Sequence, residues 1–399
     1  MPELTKDVVI KRQPVLTGKG SVFGYDISFS TLDIDILLPH ELVGFLQTHD
    51  LQNTTRGKPT FFNLDEHLLT EEVLDVVENE KGILNITSKM SEGQLINTLK
   101  HLKKYPLIKL SINYYPYNDL HSISSYLDYM KIDISNKTEQ EIIGIIKQLD
   151  RSKLQLIATS VDRKEDFDKA LNLGFSYFIG TFFIKDDIFK LGSPDKAVLI
   201  ELYRKLKNDA NINEIEEIFK KNPDLSYKLL QYVNSPYFYF RSKVTSIRHA
   251  IALLGLRELT KVVLITLYSG NSGGANNPIF EIAAIRGKFM EVLAEKAFGY
   301  SKNEKDEAFL TGMLSLANIV LQMSVEELAE KFKLEDEIVK ALKTRDGKYG
   351  PLLRIIEILE KTDETDTKTL TDIANRYNVS LKDILDAEME AYAWVEGIL

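Results

Sequence analysis

The periodicity of apolar residues changes its kind once along this chain, and that change limits what it can fold into. Through the first half, short apolar runs of strand type alternate with amphipathic runs of helix type. The strand candidates are Val8–Val15, Phe23–Phe29, Thr60–Asn63, Ile83–Thr87, Leu107–Ile112, Tyr129–Ile134, Leu154–Thr159 and Tyr177–Phe183. Helical patterns fall at Pro39–His49, Glu71–Glu80, Glu92–Lys104, Leu120–Leu127, Glu139–Leu149 and Lys164–Leu173. Strands separated by helices pair in parallel through crossovers. Eight strands over this length predict a closed (β/α) barrel rather than an open sheet. The first connection is different. Leu16–Val22, with Gly18 and Gly20, is too short for a crossover helix, so the first two strands are expected to be antiparallel.

Leu191-Gly192-Ser193-Pro194 interrupts the pattern and reads as a boundary. Beyond it only helical spacing remains, at Ala197–Lys207, Ile212–Lys221, Leu225–Val233, Ser246–Leu253, Arg257–Tyr268, Ile279–Ala297, Asp306–Leu321, Val325–Lys331, Glu335–Leu342, Tyr349–Glu360, Leu370–Tyr377 and Leu381–Trp394. Ser324-x-x-Glu327 is a capping-box pattern, and Asn222-Pro223 is a helix start. The Gly/Asn-rich stretch Ser269–Pro278 is expected to be a mobile loop, and Lys361–Thr369 a polar link before the last helix pair. The expected division is a barrel over residues 1–190 and an all-helical domain over 195–399.

Composition removes whole classes of chemistry. No cysteine is present among the 399 residues, which excludes disulfide scaffolds, thiol catalysis and Cys-ligated metal. The net charge is −9, and each half, divided at Gly192, carries more acidic than basic side chains. Nucleic acid is therefore not an expected partner. The start, MPELTKDVVIKRQ, has no apolar signal core, and Arg257, Glu258 and Lys261 interrupt the most apolar stretch, Ala250–Tyr268. A membrane span needs about 20 apolar residues, so a cytoplasmic protein without a membrane partner is expected. Walker and Gly-x-Gly-x-x-Gly motifs are missing. The aromatic residues Tyr232, Tyr237, Phe238, Tyr239 and Phe240 are of the type that stacks on bases, but packing in the core and loop is the preferred reading.

The run RQPVLTGKGSVFGYDISFS, followed by FFNLDEHLL, ILNIT, KLSINYYPYNDL, YMKIDIS and LIATSVDRKEDFDKALNLGFSYFIGTFF, resembles an EAL domain, the cyclic di-GMP phosphodiesterase barrel, over about residues 8–185. The resemblance assigns Asp26 to the position of the Glu that names the family and Ser30 to that of a nucleotide-holding Arg. Asn63 keeps the family's metal-ligand Asn. Asn85 stands for a Glu, and Ser111 and Ile112 stand for paired aspartates. Lys131 and Asp133 keep a Lys-x-Asp triplet. Thr159 and Asp162 stand for two glutamates, and Ile179 for a Gln. Two-metal hydrolysis needs several anionic oxygen ligands, which Asn, Ser, Thr and Ile do not supply. These positions are therefore read as vestigial, with no metal, no cofactor and no phosphodiesterase activity expected. Asp26, Asn63 and Lys131 are expected to satisfy one another's hydrogen bonds at the barrel mouth.

The segment LSYKLLQYVNSPYFYFRSKVTSIRHAIALLGLRELTKVVLITLY resembles the core of an HDOD domain, a metal-free helical relative of HD phosphohydrolases. The shared residues include Asn234 and Ser235, Ser246, Arg248 and His249, and Gly255. Ser315-Leu316 stands where an HD enzyme carries its His-Asp pair. His249 is the only histidine in this half, which excludes a histidine-based metal site there.

Together the two resemblances point to the bacterial EAL–HDOD signalling family. They imply a non-enzymatic protein-interaction module linked to cyclic di-GMP control, with protein partners and a possible homodimer. Two alternatives stay open: an inactive barrel that still binds a nucleotide, and a residual metal-dependent phosphodiesterase.

Overall fold

The reversed first strand is where the barrel closes. In the computed structural model, which describes residues 8–31, 36–49, 55, 57–185, 196–208, 211–240, 242–268, 277–360 and 365–398, eight strands form a closed ring: β1 (Val8–Thr17), β2 (Val22–Thr31), β3 (Thr60–Leu64), β4 (Ile83–Ile86), β5 (Lys109–Asn113), β6 (Tyr129–Asp133), β7 (Gln155–Thr159) and β8 (Tyr177–Phe178). β1 is antiparallel to both neighbours, β2 and β8, and every other pair is parallel. The β1–β2 turn is tight: the Gly20 amide donates to the Thr17 carbonyl at 2.9 Å, and the Thr17 and Ser21 hydroxyls lie 2.8 Å apart. β8 is much shorter than the expected Tyr177–Phe183. Gly180 sits at φ 154°, where a Cβ would lie 2.1 Å from the Val161 carbonyl oxygen. The chain turns there into the helical turn Phe182–Lys185.

Strand alternation sorts the side chains of the ring. Val15, Phe61, Ile83, Tyr129, Ile157 and Ile179 form an apolar layer inside it. Register then places Asn63 beside Asn85, and Asn85 beside Ser111, one step further toward the C-terminal ends of the parallel strands. That is the end at which barrels of this architecture carry their sites.

The chain divides into two compact units, Met1–Phe189 with Glu360–Thr362, and Lys190–Leu359 with Asp363–Leu399. The second is all helix among the described residues. Pro223 opens the helix Pro223–Val233, and Ser324 caps Val325–Phe332 with Glu327 returning to its amide. The two helices anticipated over 246–268 are both present within Ile247–Tyr268, parted where Gly255 takes the non-helical angles φ 72°, ψ 168°. Only a residue without Cβ adopts those angles cheaply. Two expected boundaries shift. The single helix expected over Asp306–Leu321 is two, Lys302–Leu314 and Ala317–Leu321, parted at Ser315-Leu316. The helix Thr365–Tyr377 begins inside the stretch read as a link, whose polar sequence carries no apolar period; residues 361–364 lie outside the described ones. Most of the Ser269–Pro278 loop also lies outside them, apart from Asn277, whose side chain caps Pro278–Lys296.

Pro278–Lys296 and Lys302–Leu314 approach at Gly287 and Gly312. A Cβ on Gly312 would stand 2.5 Å from the Arg286 carbonyl, and that obstacle is backbone. Gly312→Ala is therefore expected to lower stability by about 1–3 kcal/mol through overpacking, read from denaturant midpoints against the parent. An unchanged midpoint would contradict the close crossing.

Candidate functional site

The barrel mouth holds a continuous chain of hydrogen bonds. Lys131 donates to the Asp26 Oδ1 at 2.5 Å and to the Asn63 Oδ1 at 2.7 Å. Asn63 in turn donates to the Ile27 carbonyl at 2.9 Å. Asn85 donates to the Asn63 Oδ1 at 2.8 Å and to the Asn113 Oδ1 at 3.1 Å, and it accepts from the Ser111 hydroxyl at 2.7 Å. Lys131, Asn85 and Ser111 are buried, and the Lys131 ammonium stands 5.3 Å from the centre of the Phe61 ring in the apolar layer. Burial lowers the Lys131 pKa below the ordinary lysine value, and the charge and hydrogen bond of Asp26 work against that shift.

This arrangement brings together five of the positions singled out in the barrel: Asp26, Asn63, Asn85, Ser111 and Lys131. It leaves little for a cation to bind. An amide oxygen has two acceptor sites, and both of those on Asn63 are occupied, one by Lys131 and one by Asn85. The single carboxylate, Asp26, is neutralised by the single ammonium. The donor set therefore does not fit a pair of divalent ions, which require several free anionic oxygens.

The remaining positions lie outside the network. Asp133 is exposed and accepts from the Ser135 amide at 2.9 Å. Burial pushes its carboxyl upward, but hydrogen bonds from Ser135 and Ser160 and the charge of Lys137 hold it below the usual range. Asp162 accepts from the Thr181 amide at 3.2 Å and its hydroxyl at 2.7 Å. Thr159 is half-buried beside Asp133. Ile112 alternates away from Ser111 and is fully packed, Ile179 belongs to the apolar layer, and the Ser30 hydroxyl is buried without a partner. Asn113 went unremarked in the sequence, although its i+2 spacing from Ser111 places it on the same face.

In the helical unit the motif residues hold backbone. Asn234 donates to the Leu230 and Val244 carbonyls at 2.7 and 2.8 Å and accepts from the Val244 amide at 2.7 Å. Ser246 accepts from the His249 amide at 3.2 Å, which starts the helix; His249 itself is exposed. Arg248 reaches Glu216 at 2.6 Å and Asn213 at 2.6 Å. Hydrogen bonds from Lys220 and Arg248 keep the Glu216 carboxyl below its usual range against the opposing effect of burial. Ser235 alone leaves its hydroxyl buried and unpartnered.

At the Ser315-Leu316 position the charge is supplied by protein. The guanidinium of Arg286, 5% exposed, donates to the Ser315 hydroxyl at 3.0 Å and lies 3.6 Å from Glu357, which also pairs with Arg345 at 2.8 Å. Arg286 was not found from the sequence; a lone charge within the apolar run Ala283-Ala284-Ile285-Arg286 was the available signal. Among the described residues no three His, Cys, Asp or Glu side chains converge to hold a metal ion, and no helix is long and apolar enough to cross a membrane.

The chain thus joins a closed barrel with an inverted first strand to an all-helical unit. The HDOD domain model matches residues 195–346. Over 98% of its length the chain is 25% identical to the uncharacterized protein YuxH of Bacillus subtilis, covering 99% of that protein. It is also 25% identical to the cyclic di-GMP phosphodiesterase CdgJ of Vibrio cholerae, over 98% of this chain and 92% of that one. Among solved structures, the EAL-domain protein YkuI of Bacillus subtilis aligns with 17% identity over 64% of this chain and 74% of its own, with a TM-score of 0.35. An EAL-domain protein of Listeria monocytogenes aligns with 18% identity over 44% of this chain and 87% of its own, with a TM-score of 0.34.

Proposed function

We propose that this chain is a signalling protein of the cyclic di-GMP network that acts by contact with partner proteins and not by turnover. The observation that carries the reading is the neutral donor set at the barrel mouth, where Asn85 and Ser111 bond to each other and Asp26, the one carboxylate of the network, is paired with Lys131. Asn and Ser supply no anionic oxygen to a pair of divalent ions. The Arg286 guanidinium beside Ser315 gives the same impression in the helical unit. The link to cyclic di-GMP rests on the architecture and on the whole-length similarity to CdgJ.

CdgJ is described as a phosphodiesterase, and that favours residual hydrolysis as the second reading. The test is an assay of cyclic di-GMP hydrolysis by the full chain with magnesium, manganese or calcium, alongside calorimetry with the same nucleotide. No product and no binding heat are expected. Turnover that disappears in Asp26→Ala would overturn the contact reading in favour of an enzyme. Saturable binding at micromolar concentration without turnover would replace it with a nucleotide receptor.

A further inference from the structure

A cleft of about 420 Å³ opens in the helical unit where Pro223–Val233 ends, lined in part by Asn234, Ser235, Pro236, Tyr239, Phe240 and Lys243. The loop that forms it is held at both ends. The Asn234 side chain ties Leu230 to Val244, and the 3-10 turn Pro236–Phe238 sets Tyr237 edge-on against Trp394 of the helix Leu381–Ile398. Phe238 packs against Tyr232 on one side and lies parallel to Phe240 on the other. Four of the five aromatic residues are thus packed against another ring, and Tyr239 is not.

Tyr239 is 90% exposed and adopts φ 48°, ψ 34°. A left-handed conformation costs a non-glycine residue about 1–3 kcal/mol, and solvent returns nothing for holding a phenol ring in it. Phe240 is also exposed. Lys243 is exposed at the rim, in a sequence, Phe240-Arg241-Ser242-Lys243, that is basic within a chain of net charge −9.

We propose that this cleft is the docking site for an acidic segment of a partner protein. A carboxylate of that segment pairs with Lys243, and an apolar side chain lies between Tyr239 and Phe240. Aromatic side chains around a central pocket with a charged rim are the anatomy of protein interfaces, and a rigid, pre-formed loop lowers the ordering cost of binding. The proposal deepens the contact reading above and rests on it.

The test is selection of random dodecapeptides on phage by the full chain, followed by fluorescence anisotropy of the synthesised winners. Peptides that pair Asp or Glu with an apolar residue are expected. Each should bind about tenfold more weakly to Tyr239→Gly and to Lys243→Glu. Tyr239→Gly relieves the left-handed strain, so it is expected to melt no lower than the parent, and its lost binding is then not lost folding. The proposal is overturned if no peptide is selected, if the winners carry no acidic bias, if both variants bind like the parent, or if GMP or cyclic di-GMP displaces the peptides. Hydrolysis in the preceding assay would defeat the contact reading without moving these titrations.

Discussion

Asp26→Asn is expected to destabilise the barrel by about 3–5 kcal/mol, because it strands a buried ammonium without its counter-charge. The Lys131 side chain is 5% exposed and that of Asp26 15%. The double variant Asp26→Leu, Lys131→Met removes both charges, and it is expected to be neutral or to stabilise by about 1–4 kcal/mol. Asn63 keeps its bond from Asn85 in that variant, so no amide oxygen is orphaned. The pH dependence follows from the direction of the Lys131 shift. Burial lowers its folded pKa below the unfolded value. Between the two values the unfolded chain binds more protons, so stability rises with pH across that window. Removing Asp26 takes away the groups that oppose the shift and widens the window downward. The penalty of Asp26→Asn is therefore largest near neutrality and shrinks as pH rises toward about 10. Urea denaturation at both pH values checks this. A penalty that grows with pH, or a double variant as weak as the single one, would contradict a charged Lys131 held by Asp26.

The barrel was legible because its strands and helices differ in period, and because a connection as short as Leu16–Val22 admits only a hairpin. Spacing also placed Asp26, Asn63 and Lys131 at one end of the ring, since strand ends are read directly from where apolar runs stop. Reading stopped at partnership. Alternation shows that Asn85 faces inward, but only register shows that it lies between Asn63 and Ser111. Asp133 and Asp162 look like ligands in the sequence, whereas a local turn binds Asp133 to Ser135 and the loop after β8 binds Asp162 to Thr181. In the helical unit, the apolar period over Asp306–Leu321 looks like one helix, and only the backbone shows two, parted at Ser315-Leu316. Arg286 is the plainest case. A single cation in an apolar segment announces a partner, but Ser315 and Glu357 lie 29 and 71 positions away in the chain, beyond the reach of any spacing rule.

The same electrostatic logic predicts the largest effect in the helical unit. Lys261 pairs with Glu291 at 2.7 Å and with Glu258 at 2.9 Å, and Lys288 reaches the other Glu291 oxygen at 3.1 Å. The Lys261 and Glu291 side chains are only 10% and 13% exposed. Burial alone would raise the Glu291 carboxyl, but Lys261 and Lys288 hold it below its ordinary range. Burial likewise pulls Lys261 down, yet Glu291 and Glu258 lift it above the ordinary lysine value. The depressed Glu291 contributes stability that is present above its unfolded pKa of about 4.3 and is lost as pH falls through the folded value. The raised Lys261 contributes stability that is present below about 10.4 and is lost as pH rises through its folded value. Glu291→Ala leaves Lys261 with only the half-buried Glu258 and takes the paired carboxylate from Lys288, and it is expected to cost about 3–5 kcal/mol near pH 7. Glu291→Gln, which keeps the shape and removes the charge, separates electrostatics from packing. Its stability should fall less steeply than the parent's as pH drops below about 4, because the titrating carboxyl is gone. Denaturant midpoints of parent, Glu291→Ala and Glu291→Gln from neutral to acid pH read both effects. A Gln variant as stable as the parent at pH 7 would mean that the buried pair adds no net stability to the helical unit.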